Sequence, residues 1–172
     1  MEKIKIGISS CLLGEKVRYD GGHKLDIFLT ENLGKSVEYV PVCPEVESGF
    51  GVPRKSMRLE GEPDLLRLII TETGQDVTKR MENFAHERVA QLEKEDICGF
   101  IFKSDSPSCG IKRVKVYNEK SISVNENIGI FARIFMEHFS LLPVEDEGSL
   151  NDLGLRKNFM ERIFAFAKSS VK

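Results

Sequence analysis

The sequence predicts an α/β fold, a Rossmann-like and mainly parallel sheet flanked by helices, and three observations carry that expectation. Strand-like and helix-like segments alternate along the chain, the order that builds a sheet with crossover helices. Hydrophobic types make up 41% and charged types 30% of the 172 residues, enough apolar surface for one domain spanning 1–172. Residues 76–95 carry Val77, Met81, Phe84, Ala85, Val89 and Leu92 on one face, the clearest amphipathic helix in the chain.

Each element follows from local chemistry. Ile4-Lys5-Ile6-Gly7-Ile8 alternates as an opening strand does, and Tyr19-Asp20-Gly21-Gly22 is a turn. Residues 24–33 place Leu25, Phe28, Leu29 and Leu33 at helical spacing, with Gly34 as the stop. Val37–Val42 is a second strand, ended by Pro44 because proline cannot donate to a ladder. Residues 47–64, rich in Gly, Pro and charge, read as the longest irregular stretch, a length that usually accompanies a binding or covering task. Residues 65–71 form a strand suited to an antiparallel edge. Residues 97–102 form a buried strand that feeds a turn rich in Ser, Asp, Pro and Gly. Val114 to Val116 and Ile122 to Val124 flank a hairpin around Asn118-Glu119, and residues 127–139 are a buried helix. Leu141-Leu142-Pro143-Val144 adds an edge strand. Residues 153–168 end as a helix with Leu155, Phe159, Ile163 and Phe166 on one face.

Lys and Arg total 25 against 27 Asp and Glu, a formal charge of -2 without the global basic signature of a non-specific DNA binder. No apolar run reaches the roughly 18 residues that span a bilayer. The MEKIK start is followed by too few apolar residues for a signal peptide. The expectation is a cytoplasmic protein with neither a DNA nor a membrane partner. Its cysteines, Cys11, Cys43, Cys98 and Cys109, would then sit in a reducing compartment.

Three of those cysteines follow strands. Parallel pairing would bring Cys11, Cys43 and Cys109 to one rim of the sheet, where ligands bind in such folds. Cys98 starts its strand, about 13 Å of extended chain from that rim, and reads as a small buried hydrophobe. Three converging thiolates serve a zinc ion, an iron–sulfur cluster or nucleophilic thiol chemistry, and spacing alone does not separate them. His23 could supply a fourth zinc ligand, although a histidine in an exposed turn before a helix is more often merely solvated. His86 and His138 lie in helices without a partner at ligand spacing and read as structural or surface residues.

Ser10-Cys11-Leu12-Leu13-Gly14, with Arg18-Tyr19-Asp20-Gly21 a few residues on, resembles the opening of the thiouracil desulfurase family. Cys43-Pro44-Glu45 and Lys103-Ser104-Asp105-Ser106-Pro107-Ser108-Cys109-Gly110 resemble its second and third signatures. Phe131-Ala132-Arg133, Leu142-Pro143-Val144-Glu145 and Leu155-Arg156-Lys157-Asn158-Phe159 fit its tail, so the resemblance covers about residues 4–166. It implies a [4Fe-4S] cluster held by Cys11, Cys43 and Cys109, and a non-redox desulfidase. The implied partner is a small thiolated pyrimidine, as free base or nucleotide, or a thiolated RNA. The chain departs from the family pattern in three places. Val17 stands where many relatives have another cysteine, Glu47-Ser48-Gly49 where relatives run toward adjacent glycines, and Asp105 where Arg is common. The tail is similar to that of longer relatives in which a second domain follows, and a chain ending at Lys172 has no room for one.

Removing a thione sulfur by hydrolysis needs a polarised C–S bond, a base for water and a proton source. Glu45, close behind Cys43, is the candidate for proton transfer; Ser104 and Asp20 are further catalytic candidates, and Ser108 a weaker one. Arg18, Lys103 and Ser106 are the candidate substrate-binding residues. Arg54, Lys55 and Arg58 either guide an anionic substrate or form a solvated basic loop. Phe159, Phe164 and Phe166 offer apolar surface to the sheet or to a second subunit, which would make a homo-oligomer. The alternative to an enzyme is a non-catalytic metal-binding or redox-sensing domain.

Overall fold

The computed structural model describes residues 3–170. Its elements run β1 (Ile4–Ser9), β2 (Val37–Val42), α1 (Pro44–Glu47), β3 (Met57–Glu62), β4 (Leu65–Ile70), α2 (Thr78–Lys94), β5 (Phe100–Phe102), β6 (Val114–Tyr117), β7 (Ser123–Asn127), α3 (Ile130–His138), β8 (Val144–Asp146) and α4 (Leu153–Ser170). One sheet has the order β2-β1-β5-β8 with every pairing parallel, as expected. A second sheet, β4-β3-β6-β7, was not foreseen. In it β3 pairs antiparallel with β4 and parallel with β6, and β6 turns back antiparallel onto β7. Among the described residues no helix is long and apolar enough to cross a membrane.

Side-chain alternation along the central strands divides the core in two. Ile6 and Ile8 of β1 and Ile101 of β5 face one side, against Leu12, Leu29, Phe159 and Ile163. Phe100 and Phe102 point the other way, into the layer formed by α2, α3 and the second sheet. There the Phe100 and Phe102 rings stack 4.3 Å apart, and Phe135 meets Phe100 edge-on at 4.8 Å. Gly7, on the Phe100 side of β1, is glycine because a Cβ there would lie 2.2 Å from Cδ2 of that ring. Gly7→Ala is therefore expected to cost about 1–3 kcal/mol, seen as a lower urea midpoint at unchanged m-value.

Two expected elements are corrected. The helix expected over residues 24–33 is a single π-helical turn, Phe28–Asn32, followed by a 3-10 turn, Leu33–Lys35. The Thr30 hydroxyl donates to the carbonyls of Asp26 and Ile27, and the Asp26 carboxylate accepts from the Leu29 amide. These local bonds compete with a regular helix. The stretch read as irregular, residues 47–64, contains β3. Its apolar alternation is reduced to Met57 and Leu59 among charges, because Arg58 and Glu60 pair on the outer face, 2.7 Å apart. The buried strand begins at Phe100, yet the Cys98 amide already bonds the Lys5 carbonyl, and Cys98 is packed in the Ile6–Ile101 layer. In α4, Phe159 and Ile163 are fully buried, whereas Leu155 and Phe164 are exposed.

Candidate active site

Parallel pairing places the ends of β1, β2 and β5 side by side, and the chain leaves each through a cysteine-bearing turn. β1 passes directly into a 3-10 turn, Ser10–Leu13, closed by Gly14 in the left-handed conformation at φ 87°. This carries Cys11. β2 ends at Cys43, the N-cap of α1, whose amide is taken up by the Glu47 carboxylate at 2.7 Å. Burial raises the Glu47 pKa, and the Cys43 amide and Arg88 oppose that rise. Glu47 is tied in turn to Arg88 of α2 at 3.2 Å.

The third turn, carrying Cys109, is seated on the start of α3. The Ser106 hydroxyl accepts from the amides of Ser108 and Cys109, at 3.2 and 3.0 Å. The turn's carbonyls then satisfy helix donors: Ile130 N bonds Pro107 O, and Ala132 N bonds Ser108 O. Gly129 permits this contact, because a Cβ there would stand 2.6 Å from the Ser108 carbonyl carbon and oxygen.

Cys11, Cys43 and Cys109 line one cavity of about 420 Å³, together with Arg18, Lys24, Glu45, Arg54, Lys103 and Ser104. Cys98 does not line it. Burial dominates all three thiols. It raises Cys11 to about 11, opposed chiefly by the Lys103 charge, and it raises Cys43, opposed by a backbone hydrogen bond and Arg54. Cys109 is pushed well above 9.0 by burial, against a hydrogen bond with Ser9. A thiol whose folded pKa is raised contributes stability below its unfolded value and loses it as pH climbs to the folded one. The midpoint of thermal unfolding of the cluster-free protein is expected to be level to about pH 9 and to fall between about pH 9 and 11, measured by circular dichroism.

These donors fit an iron–sulfur cluster. Three soft ligands are buried together, and thiolates at this depth need a cationic partner to be stable. Among the described residues no three His, Cys, Asp or Glu groups are spaced to hold one metal ion. Three thiols that line one cavity suit a polynuclear centre, in which each sulfur binds its own iron. His23 lies outside the lining, with Nδ1 accepting from the Leu25 amide.

The other sequence candidates divide. Glu45 borders the cavity, where Oε2 accepts from Nε and Nη2 of Arg54, both at 2.7 Å, and Oε1 accepts from Ser108 Oγ at 3.0 Å. Arg54 also donates to the Val17 and Gly51 carbonyls, so it pins the loop before β3 onto the cavity wall. Lys103, Ser104, Ser106, Ser108 and Arg18 all line the cavity. Asp20 does not; its Oδ1 accepts from the Gly22 amide in the turn. Lys55 pairs with Glu72, and Arg58 with Glu60, away from the thiols. Sequence reasoning missed Glu147, which accepts from Lys103 and Ser104. The rim rule that found the cysteines also reaches it, since Glu147 directly follows β8.

Comparison with known proteins gives three findings. The profile of the family described as 2-thiouracil desulfurase matches residues 6–147. The uncharacterized protein YbbK of Bacillus subtilis (strain 168) is 34% identical over 111 residues, 60% of this chain and 71% of that protein. The solved structure of a [4Fe-4S]-dependent thiouracil desulfidase, TudS, superposes with a TM-score of 0.69 at 30% identity, covering 92% of this chain and 99% of the other.

Proposed function

The chain belongs to the 2-thiouracil desulfurase family, and from that premise we propose that it is a [4Fe-4S]-dependent desulfidase that hydrolyses the C–S bond of a thiolated uracil. The observation that carries this reading is the meeting of Cys11, Cys43 and Cys109 in one cavity beside Glu45 and Ser104. Those three cysteines would hold the cluster. A cluster with three protein ligands supplies an open iron, a Lewis acid soft enough to favour sulfur.

The rest of the chemistry belongs to this chain's side chains. Glu45 Oε1 keeps a lone pair beyond its bond from Ser108, so it can accept the proton of an attacking water. Arg54 keeps that carboxylate in place. Lys103 and Arg18 offset the negative charge of thiolates and of departing sulfide. The exchange balances without electrons: water oxygen replaces sulfur on the ring carbon, and the sulfur leaves as hydrogen sulfide. Arg18 and Lys24 in the cavity wall support a phosphate on the substrate, so a nucleotide or a thiolated RNA is proposed beside the free base.

The test is anaerobic turnover of a panel of thiolated pyrimidines by protein assayed for iron and sulfide. The expected outcome is a uracil-type product and sulfide in equal amounts with no continuing reductant. A strict stoichiometric demand for electrons would overturn the hydrolytic mechanism, and loaded protein that releases no sulfide would favour a sensing domain.

A further inference from the structure

Resting on the desulfidase reading, we infer that Glu147 is a positioning residue: it fixes Ser104 as a hydrogen-bond acceptor for a ring N–H of the pyrimidine. The argument is one of donor and acceptor supply. Phe102 of β5 pairs with Asp146 of β8, so the next residues, Lys103 and Glu147, leave adjacent strand ends together. The Glu147 carboxylate gathers three donors there. Oε1 accepts from Lys103 Nζ at 2.5 Å and from Ser104 Oγ at 2.8 Å, and Oε2 accepts from the Ser104 amide at 2.8 Å. Lys103 Nζ also donates to Ser104 Oγ at 3.1 Å, and the Lys103 amide is held by Ser9 Oγ at 2.9 Å.

A carboxylate only accepts and an ammonium only donates, which leaves the Ser104 hydroxyl no choice. Its proton points to Glu147 and one lone pair takes the Lys103 proton. What Ser104 keeps is a single lone pair, and Ser104 lines the cavity with the thiols. Glu147 does not line it and acts through Ser104. The ligand chemistry that matches a fixed acceptor is the N–H of a neutral pyrimidine ring; a methylated ring nitrogen has nothing to offer it.

Glu147→Gln breaks this arrangement in either amide orientation. With the amide oxygen toward Ser104 N, the NH2 group meets Lys103 and the hydroxyl, and the Ser104 proton turns toward the cavity. With the oxygen toward Lys103, the NH2 group opposes the Ser104 amide. The experiment measures binding of uracil, 1-methyluracil and 3-methyluracil by calorimetry to cluster-loaded wild type, Glu147→Gln and Ser104→Ala, with iron content and KM and kcat on thiouracil alongside.

Wild type is expected to bind one methylated ring at least about 10-fold more weakly than uracil, as loss of a buried hydrogen bond requires. The gap should shrink below about 3-fold in both variants, with KM raised and iron content unchanged. A wild-type gap that persists in Glu147→Gln, an absent gap in wild type, or loss of iron from Glu147→Gln overturns the inference. Should Glu147→Gln fail to fold, Glu147→Asp keeps the charge but withdraws it by one methylene and replaces it in the same comparison. Wild type that shows the binding gap but releases no sulfide from thiouracil costs the desulfidase reading and leaves this inference standing.

Discussion

Cys11→Ser, Cys43→Ser and Cys109→Ser should each abolish both cluster loading and sulfide release, whereas Cys98→Ala should retain both. Serine is close to cysteine in volume, so each replacement leaves packing nearly intact. Its hydroxyl stays neutral at the pH where metal-bound thiolates form. The three cysteines come from turns after different strands, so no neighbouring thiol can substitute for a missing one. Cys98 is also buried, but it packs among Ile6, Ile8 and Ile101 and does not border the cavity. Its loss costs packing, on the order of 1 kcal/mol, and leaves the site alone. Anaerobic reconstitution followed by iron and sulfide analysis and a visible spectrum reads the result. A full cluster in Cys43→Ser would remove that residue from the ligand set, and a colourless Cys98→Ala that still folds would reopen the choice of ligands.

The convergence of those cysteines was legible because it follows from few rules. Parallel strands align their carboxyl ends, and each of the three residues lies in the turn after a run whose alternation or apolar character marks it as a strand. The amphipathic face of α2 and the buried character of α3 were legible for the same reason, since a sustained period outweighs local exceptions. The second sheet was not. In β3, Arg58 and Glu60 pair across the outer face of the sheet, so the segment reads as a charged loop until a partner strand is known. The short turns after Asp26 were hidden because their hydrogen bonds come from Asp26 and Thr30 side chains, which hydropathy periodicity does not count. At the site, cysteine is a rare residue with few roles in a rim turn, so it stood out. Glu147 is one of many acids, and only the register of β8 against β5 gives it a place.

Glu45→Gln should leave the cluster loaded and slow turnover by at least about 100-fold, the ordinary cost of losing a general acid–base group. The structure explains why this substitution separates chemistry from architecture. Glutamine keeps the side-chain length and one carbonyl oxygen, which can still receive the two Arg54 donors that now reach Oε2. Its NH2 group then faces Ser108 Oγ, and that hydroxyl can accept as readily as it now donates. Arg54 loses an ionic partner but keeps its bonds to the Val17 and Gly51 carbonyls, so the loop that walls the cavity stays anchored. What glutamine lacks is a lone pair on an ionisable oxygen facing the cavity. The loss should therefore fall on kcat rather than on KM. Near-normal turnover in a fully loaded variant would take proton transfer away from Glu45 and give it to Ser104 or to bound water. Loss of the cluster would instead show that Glu45 and Arg54 together hold the Cys43 turn, because the carboxylate lies only two residues along the chain from that thiol.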